Sequence, residues 1–508
     1  MENKIFMTDK YSVTVMENTT RNVPVYVTLV LDGSGNNFPL PEDVYKEFDG
    51  LQIGTKTVKT YFASFEFEEK ARVTVNLPEN TQKITVKPHF EYEFKDGKIT
   101  FETDCDRNFV LQVNDDIFGS LHILCNRKKE ITCDKQNVIK FSKGFYSAEN
   151  CEHIRIDQHG SPVMDNIKDN TLIYIDNEAI INAAIVLKGV HNVKIIGSGT
   201  VSLIDRCHGA DNYFRDEPMW GAFRYYAVPN IYIRSGSSNI EIEDVVLNCE
   251  FRGIVIRNSE KISIKNVKIF TSAVNGDGIN CYNTSDLLVD GCYVQSADDS
   301  FCMYNSCDSI PNLHDEGYEN VKPVCANVEV KNCLFATGAR PIVLGGHATG
   351  ETNPRCLMEN VYIHDCEILE ITNRIFGIPD ESAIYWNAVL RILSQSAQMV
   401  RNFRFENIKA FVTKGHKGKV IDIQVRDAKS ASYTEREGYR IENIIFKDIS
   451  VYGNTENIIP SLISSRLPMN EDDDCGISGI VIDNVTVNNE KLKYDDLRIV
   501  GPVEVICK

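Results

Sequence analysis

A degenerate repeat runs through most of this 508-residue chain and constrains its fold more than any other feature. Its core reads polar, apolar, x, apolar, x, Asn or Asp, small apolar, x, apolar, as in SNIEIEDVVL at 238 and, 260 − 238 = 22 residues later, EKISIKNVKI. A period of twenty-odd residues with two short β runs and a polar corner is typical of a β-solenoid. The sequence therefore predicts a parallel β-helix from about residue 137 onward.

The corner position of the repeat predicts a stacked ladder of polar side chains. Asn and Asp suit such a corner because they tolerate left-handed backbone and bond to neighbouring backbone groups. The expected ladder consists of Asp244, Asn266, Asn332, Asp365, Asn407, Asp448 and Asn484. The next position is apolar throughout and holds Cys292, Cys333 and Cys366 in three repeats, so we interpret these cysteines as small buried hydrophobes.

The first 130 residues follow a different pattern. Short runs such as KARVTVNL and KITFET alternate apolar and polar residues and are separated by Pro, Asn and Asp-Gly. That pattern predicts an antiparallel β-sandwich. We therefore expect an all-β chain with a sandwich at 1–130 and a β-helix at 131–508. The sandwich is expected to bind glycan, to form a subunit contact, or to cap the first coil, whose strand edges would otherwise be unpaired.

Charge and composition exclude several classes of partner. The chain has 54 Lys and Arg against 72 Asp and Glu, a net charge of −18, whereas nucleic acid and anionic membranes demand clustered positive charge. The N-terminal sequence MENKIFMTDKYSV has no apolar core of a signal peptide, and no run is long enough for a membrane span. With the 16 cysteines interpreted as reduced, we expect a cytoplasmic protein; its oligomeric state stays open.

Two aspartate motifs one coil apart predict a reactive centre. Asn275-Gly276-Asp277-Gly278 is followed by Ala297-Asp298-Asp299-Ser300, and 298 − 277 = 21 residues. Stacked coils lie about 4.8 Å apart, so Asp277 should lie directly under the aspartate pair. Crowded carboxyls resist ionising together, which keeps one of them protonated. Hydrolysis of a glycosidic bond needs one protonated carboxyl group and one carboxylate. Consecutive residues of a flat strand point to opposite faces, so Asp298 and Asp299 can line one cleft only if the chain bends there.

Aromatic and basic residues near these motifs are candidates for sugar contacts. Trp220, Tyr304 and Trp386 offer flat faces on which sugar rings pack, although core packing explains such residues equally well. Arg340 lies later in the chain than the aspartate pair, and its guanidinium can bind a carboxylate in a bidentate manner.

The segment NGDGINCYNTSDLLVDGCYVQSADDSFCMY resembles the polygalacturonases of glycoside hydrolase family 28 and the dextranases and isopullulanases of family 49. The resemblance extends over roughly residues 135–490. It implies a right-handed parallel β-helix and hydrolysis with inversion. It also implies Asp298 as general acid, with Asp277 and Asp299 positioning and deprotonating water. An N-terminal sandwich resembles the family 49 layout.

The sequence departs from the polygalacturonases where they grip the galacturonate carboxylate. Their Gly-His-Gly is replaced by Gly338-Ala339-Arg340, with His347 a few residues later, and their Arg-Ile-Lys by Arg391-Ile392-Leu393. The resemblance therefore implies Arg391 and, less directly, His347 as substrate ligands, while the sugar stays open between a galacturonan and an α-glucan.

Two other functions remain open from the sequence. A polysaccharide lyase or epimerase would act on uronates, typically with calcium, and a non-catalytic carbohydrate-binding solenoid would need no acid cluster. We expect a carbohydrate substrate, no nucleic acid or membrane partner, no cofactor and no metal.

Overall fold

The computed structural model describes residues 7–31, 52–53, 57–129, 137–158, 160–203, 228–249, 251–272, 276–305, 324–345, 356–372, 376–377, 388–395, 399–413, 418–426, 440–465 and 476–508. Within these ranges the chain is all-β, with a right-handed parallel β-helix preceded by a β-sandwich. The described part of the chain includes the 3₁₀ turns Thr455–Asn457 and Tyr494–Asp496. Within the same ranges no helix has the length and apolarity that a membrane crossing requires.

The sandwich consists of two five-stranded sheets around its own apolar core. In spatial order the first sheet contains Thr20–Val23, Ser12–Met16, Lys70–Asn76, Lys98–Asp104 and Glu93–Lys95. The second contains Tyr26–Leu31, Thr57–Phe67, Asp116–Arg127, Asn108–Val113 and Ile84–Lys87. One pair departs from the predicted antiparallel pattern: Thr57–Phe67 and Asp116–Arg127 run parallel, because the chain between them crosses to the other sheet and back.

The β-helix begins at Asn137, so its first strand and the last sandwich strand, which ends at Arg127, lie on either side of the expected boundary. Each early coil adds two strands to a 20-stranded sheet and one strand to a 13-stranded sheet. The first sheet contains Asn137–Phe141, Gly144–Tyr146, Thr171–Ile175, Ala179–Ile181, His191–Ile196, Thr200–Ser202, Ser238–Glu243, Val246–Cys249, Glu260–Lys265, Lys268–Thr271, Ser285–Asp290, Tyr293–Ser296, Val324–Lys331, Leu334–Thr337, Leu357–Ile371, Met399–Val412, Arg440–Tyr452, Gly476–Val487, Glu490–Lys491 and Val503–Cys507.

The 13-stranded sheet begins directly after the corners that hold the aspartate motifs, because its strands Ile279–Tyr282 and Phe301–Tyr304 follow Asp277 and the aspartate pair. It contains Arg155–Ile156, Pro162–Met164, Ala184–Lys188, Ile231–Arg234, Ile254–Arg257, Ile279–Tyr282, Phe301–Tyr304, Ile342–Gly345, Ala388–Gln395, Gly418–Arg426, Ile458–Ile459, Ser461–Ser464 and Leu497–Val500. Outside these two sheets, Gln52–Ile53 pairs with Phe376–Gly377.

The corner ladder predicted from the repeat is confirmed. All seven of its members have positive φ, and side-chain hydrogen bonds join Asn266 to Asp244 and Asn484 to Asp448. The three cysteines at the following position lie in the apolar core, as predicted. The corner amides therefore fix where each coil turns, while the apolar position beside them fills the interior.

The sandwich packs along the side of the β-helix rather than over its open end. Phe62 of the sandwich stacks on Phe270 of the helix with ring centroids 5.4 Å apart. His122 bonds to the Tyr293 hydroxyl at 2.6 Å, and Lys268 lies buried against Asn126. Phe270 and Tyr293 belong to the strands that lead into the two aspartate motifs, so the sandwich contacts the coils of the candidate site from behind.

Candidate active site

The two aspartate motifs stack on each other, as the spacing predicts. The Asp298 amide donates to the Gly276 carbonyl at 3.0 Å, and the Gly278 amide donates to the Asp299 carbonyl at 2.8 Å. One backbone hydrogen bond on each side of Asp277 thus joins the lower corner to the upper one. This ladder fixes the three aspartates relative to one another before any side-chain contact is made.

A bend in the upper corner separates the aspartate pair from regular strand geometry. The Asp298 carbonyl accepts hydrogen bonds from the Ser296 hydroxyl at 2.8 Å and the Thr337 hydroxyl at 2.5 Å. The strand Tyr293–Ser296 ends before the pair, and the next strand begins at Phe301. Asp298 and Asp299 therefore lie in a bend between two strands, so they need not point to opposite faces as consecutive residues of one strand do. The sequence predicts such a bend for a shared cleft.

Asp299 is held by the guanidinium of Arg340, one coil above. Arg340 donates from Nε to Asp299 Oδ1 and from Nη2 to Oδ2, each at 2.7 Å, and its backbone amide donates to Oδ1 at 3.1 Å. This is the two-pronged geometry in which arginine binds carboxylates most strongly. Arg340 thus has a partner inside the protein, and the substrate carboxylate proposed for it remains a prediction.

Asp277 is held by Arg252, a residue that the sequence argument missed. Arg252 Nε lies 3.3 Å from Asp277 Oδ2, and Asn280 Nδ2 donates to the same oxygen at 2.7 Å. The Asp277 carboxyl is therefore oriented by one cation and one amide. A signal was available in the spacing, because Arg252 lies one coil before Asp277 (277 − 252 = 25 residues).

Burial and crowding raise the pKa of Asp298 and of Asp277. Asp277, Asp298 and Asp299 are 6%, 3% and 2% exposed. Burial raises the pKa of Asp298 well above its usual range, and the charges of Asp299 and Asp277 raise it further. Burial also raises the pKa of Asp277, to about 6, although Arg252 opposes the shift. Asp298 is thus the member best suited to stay protonated at neutral pH.

Cys302 completes the immediate surroundings of the acids. It offers a sulfur atom, and Asp277 and Asp299 each offer an oxygen, with all three atoms within 4.8 Å of one another. Both carboxylates already contact guanidinium groups, so a divalent cation placed among them would meet two positive charges. The donor set therefore fits a metal poorly, and the absence of a metal stays a prediction.

Two further candidates lie on the same sheet face, above and beside the acids. Arg391 is fully buried, with Nε 3.4 Å from Asp422 Oδ2, and Lys419 Nζ lies 3.3 Å from the same oxygen. Tyr304 is 5% exposed and packs against Tyr282 with ring centroids 5.4 Å apart. A sugar contact for either residue stays a prediction. His347, Trp220 and Trp386 lie outside the described residues.

Comparison with known proteins identifies the fold. No family model matches the sequence, and no curated protein matches it. Among solved structures, Dex49A from Penicillium minioluteum, a family 49 dextranase, superposes with a TM-score of 0.55 at 13% identity over 96% of this chain and 90% of that one. This likeness spans the sandwich and the helix, and at such low identity it shows a common fold.

Family 28 enzymes also appear among the structural matches. The Yersinia enterocolitica family 28 exopolygalacturonase gives a TM-score of 0.43 at 11% identity over 99% of this chain and 97% of that one. The Thermotoga maritima exopolygalacturonase gives 0.41 at 14% identity over 69% and 74%.

Proposed function

We propose that this protein is a glycoside hydrolase that cleaves an α-glycosidic bond with inversion. The observation that carries the proposal is the unequal treatment of three stacked aspartates. Asp277 and Asp299 each contact a guanidinium, whereas burial and the two neighbouring charges raise the pKa of Asp298. Single-displacement hydrolysis needs a protonated carboxyl group beside a carboxylate.

In the proposed reaction Asp298 donates its proton to the glycosidic oxygen as the bond from that oxygen to the anomeric carbon breaks. A water molecule attacks the anomeric carbon from the opposite face and loses a proton to a carboxylate of the cluster. The configuration at the anomeric carbon is thereby inverted. Proton exchange with solvent then restores both carboxyl groups. Low exposure strengthens these charge interactions, because little water screens them.

The shared fold supports this proposal. Dex49A, a family 49 dextranase, superposes on both the sandwich and the β-helix, and the aspartate motifs that suggested families 28 and 49 stack at one corner of two successive coils. A fold alone hosts many functions, so the acid cluster carries the argument.

We propose an uncharged sugar at the scissile bond, hence an α-glucan type of substrate rather than a galacturonan. Arg252 and Arg340 contact Asp277 and Asp299, and Arg391 and Lys419 contact Asp422. Drawing any of these four cations away to a substrate carboxylate would break an ion pair of a buried aspartate, which is costly. A neutral sugar has no carboxylate, so its binding leaves these ion pairs intact.

The test is a screen of defined oligosaccharides with detection of new reducing ends. The panel contains isomalto-, malto- and galacturono-oligosaccharides, and proton NMR of the fresh product reads its anomeric configuration. We expect cleavage of a neutral α-glucan oligomer with an inverted first product. Retention of configuration would contradict single displacement. An unsaturated product from the galacturonate series, lost on chelation, would indicate a lyase instead. Binding without turnover would indicate a non-catalytic solenoid.

A further inference from the structure

We infer that Asp277 alone takes the proton of the attacking water, and that Asp299 is a positioning residue. The inference rests on the proposed function and deepens it, because two carboxylates of the cluster are candidates for the base. The two differ in which of their oxygen atoms can meet a water molecule.

Asp299 has both oxygens committed to Arg340. Oδ1 accepts from the Arg340 backbone amide and from Nε, and Oδ2 accepts from Nη2. The Asp299 side chain is buried, at 3% exposure, and the Arg340 side chain is mostly covered, at 13%. A buried carboxylate in a two-pronged pair can take a proton only by giving up part of that pair, and breaking such a pair leaves a buried charge uncompensated.

Asp277 is bound on one side only. Arg252 and Asn280 both contact Oδ2, and neither contact uses Oδ1. Asp277 is also the most exposed of the three aspartates, at 6% against 3% and 2%. One of its oxygens can therefore meet a water molecule while the other keeps the carboxyl in a fixed orientation.

Asn280 supplies a second acceptor next to Asp277. Its amide nitrogen donates to Asp277, while its Oδ1 atom is fully buried and has no hydrogen-bond partner among the residues that the structure describes. A buried amide oxygen without a donor is costly unless water or substrate satisfies it. A water molecule placed here can donate one proton to Asp277 Oδ1 and the other to Asn280 Oδ1.

Each proton of the proposed step can be assigned to an atom. The water oxygen forms the new bond to the anomeric carbon, and its first proton moves to Asp277 Oδ1. Its second proton stays on the product hydroxyl and points at Asn280 Oδ1 during attack. Asp298 protonates the departing oxygen. Asp299 and Arg340 keep their two-pronged contact throughout and hold the corner that carries Asp298.

The charge environment of Asp277 agrees with this role. Burial raises its pKa to about 6, with Arg252, Asp299, Asn280 and Arg340 as further influences. A base is most effective when its pKa lies near the working pH. The titratable groups facing it from the stacked coils also include Asp298, Cys302, Tyr282 and Tyr304.

Azide distinguishes a missing base from a missing positioning group. In Asp277→Ala the anion can enter the space of the lost carboxylate and attack the anomeric carbon without a base, while Asp298 still protonates the leaving oxygen. We expect a loss of about 10²–10⁴-fold in turnover, partly restored by sodium azide with release of an inverted glycosyl azide. In Asp299→Ala azide binds Arg340, and the product remains free sugar. Asp286→Ala, at an exposed position of the strand Ser285–Asp290, is the control.

Glycosyl azide from Asp299→Ala and none from Asp277→Ala, or equal yields from both, would overturn the inference. If the unmodified protein cleaves no oligosaccharide of the panel, the proposed function fails separately. Carbon-13 NMR of labelled aspartate side chains then decides without a substrate. We expect the signal that disappears in Asp277→Asn to titrate close to pH 6 in the unmodified protein. A signal that does not titrate between pH 4 and pH 8 would contradict the assignment.

Discussion

Two guanidinium groups each pair with one aspartate of the cluster, and no sequence motif indicates either pair. Arg340 is predicted as a substrate ligand, and its contact with Asp299 adds a role that no motif indicates, while the substrate contact stays a prediction. Arg252 is a lone arginine after a strand and belongs to no recognisable motif. The aspartates themselves were predictable because each belongs to a recognisable corner motif. Partners one coil away require the coil length to be known, and that length varies along this chain.

Replacing Arg252 should move the pH dependence of turnover. Arg252 lowers the pKa of Asp277, which burial holds at about 6, so Arg252→Met should raise that pKa. The acidic limb of the kcat/KM profile should then move to higher pH, because the base stays protonated further into the neutral range. The measurement is a pH profile of initial rates, with Arg155→Met, an exposed arginine, as the control. An unmoved limb would exclude Arg252 from the environment of the base.

The buried trio of Arg391, Lys419 and Asp422 should be needed for stability. Asp422→Asn leaves two fully buried cations without their carboxylate, and breaking a buried pair costs about 3–5 kcal/mol. We expect a fall of that size in the free energy of unfolding, measured by urea denaturation. Asp495→Asn on the exposed surface should change it by less than about 0.5 kcal/mol. Equal effects of the two changes would contradict the ion-pair account.

At the scale of coils and strands, the repeat made the architecture predictable. Its apolar positions fill the interior, and its Asn and Asp corners adopt the left-handed backbone that such residues tolerate. Outward positions were less informative. Lys268 and Tyr293 occupy outward positions of the repeat yet are fully buried, because the sandwich covers them. A repeat pattern describes what faces the core of the coil, and it says nothing of what covers the outside.

Gly278 should be required for the stack of aspartate corners. A Cβ there would lie 2.4 Å from Val294 Cγ1 and 2.5 Å from the Ser300 carbonyl oxygen. Gly278→Ala must therefore push apart the coils that carry Asp277 and Asp299, and catalysis falls by about 10²-fold for displacements near 1 Å. Gly476→Ala is the control, since its Cβ would meet only Arg440 Cγ at 3.6 Å. Unchanged turnover in Gly278→Ala would show that the corner spacing is not critical.

For the whole molecule, the sandwich and the helix share a buried interface behind the site. Sequence patterns distinguish the sandwich from the β-helix but do not predict where the sandwich packs on the helix. A sandwich at the end of the helix and one along its side have the same alternation of apolar and polar residues in their strands. The side packing brings Phe62 and His122 onto the strands that lead into the aspartate motifs. We expect the sandwich to stabilise those strands as well as its own core.

His122 should make this interface sensitive to acid. It is fully buried between Thr60 and Tyr293, and burial lowers its pKa to about 3. Below about pH 6.5 the unfolded chain therefore binds a proton on His122 that the folded chain does not bind. The free energy of unfolding therefore decreases as the pH falls below that value. From pH 7 to pH 5 this contribution is about 2 kcal/mol. His122→Gln should lack it in pH-dependent denaturation, whereas His191→Gln, an exposed control, should retain it. Parallel pH dependence in both variants would contradict the assignment.

Turnover by the Asp298→Asn protein tests the central claim most directly, because this change removes the transferable proton and keeps the shape of the side chain. It is measured as release of reducing ends from the oligosaccharide that the unmodified protein cleaves, beside Asp286→Asn as the exposed control. We predict a loss of about 10⁴-fold for Asp298→Asn with unchanged thermal unfolding, and near-full activity for the control. Near-normal turnover by Asp298→Asn would contradict the assignment of the aspartate cluster as a hydrolytic centre.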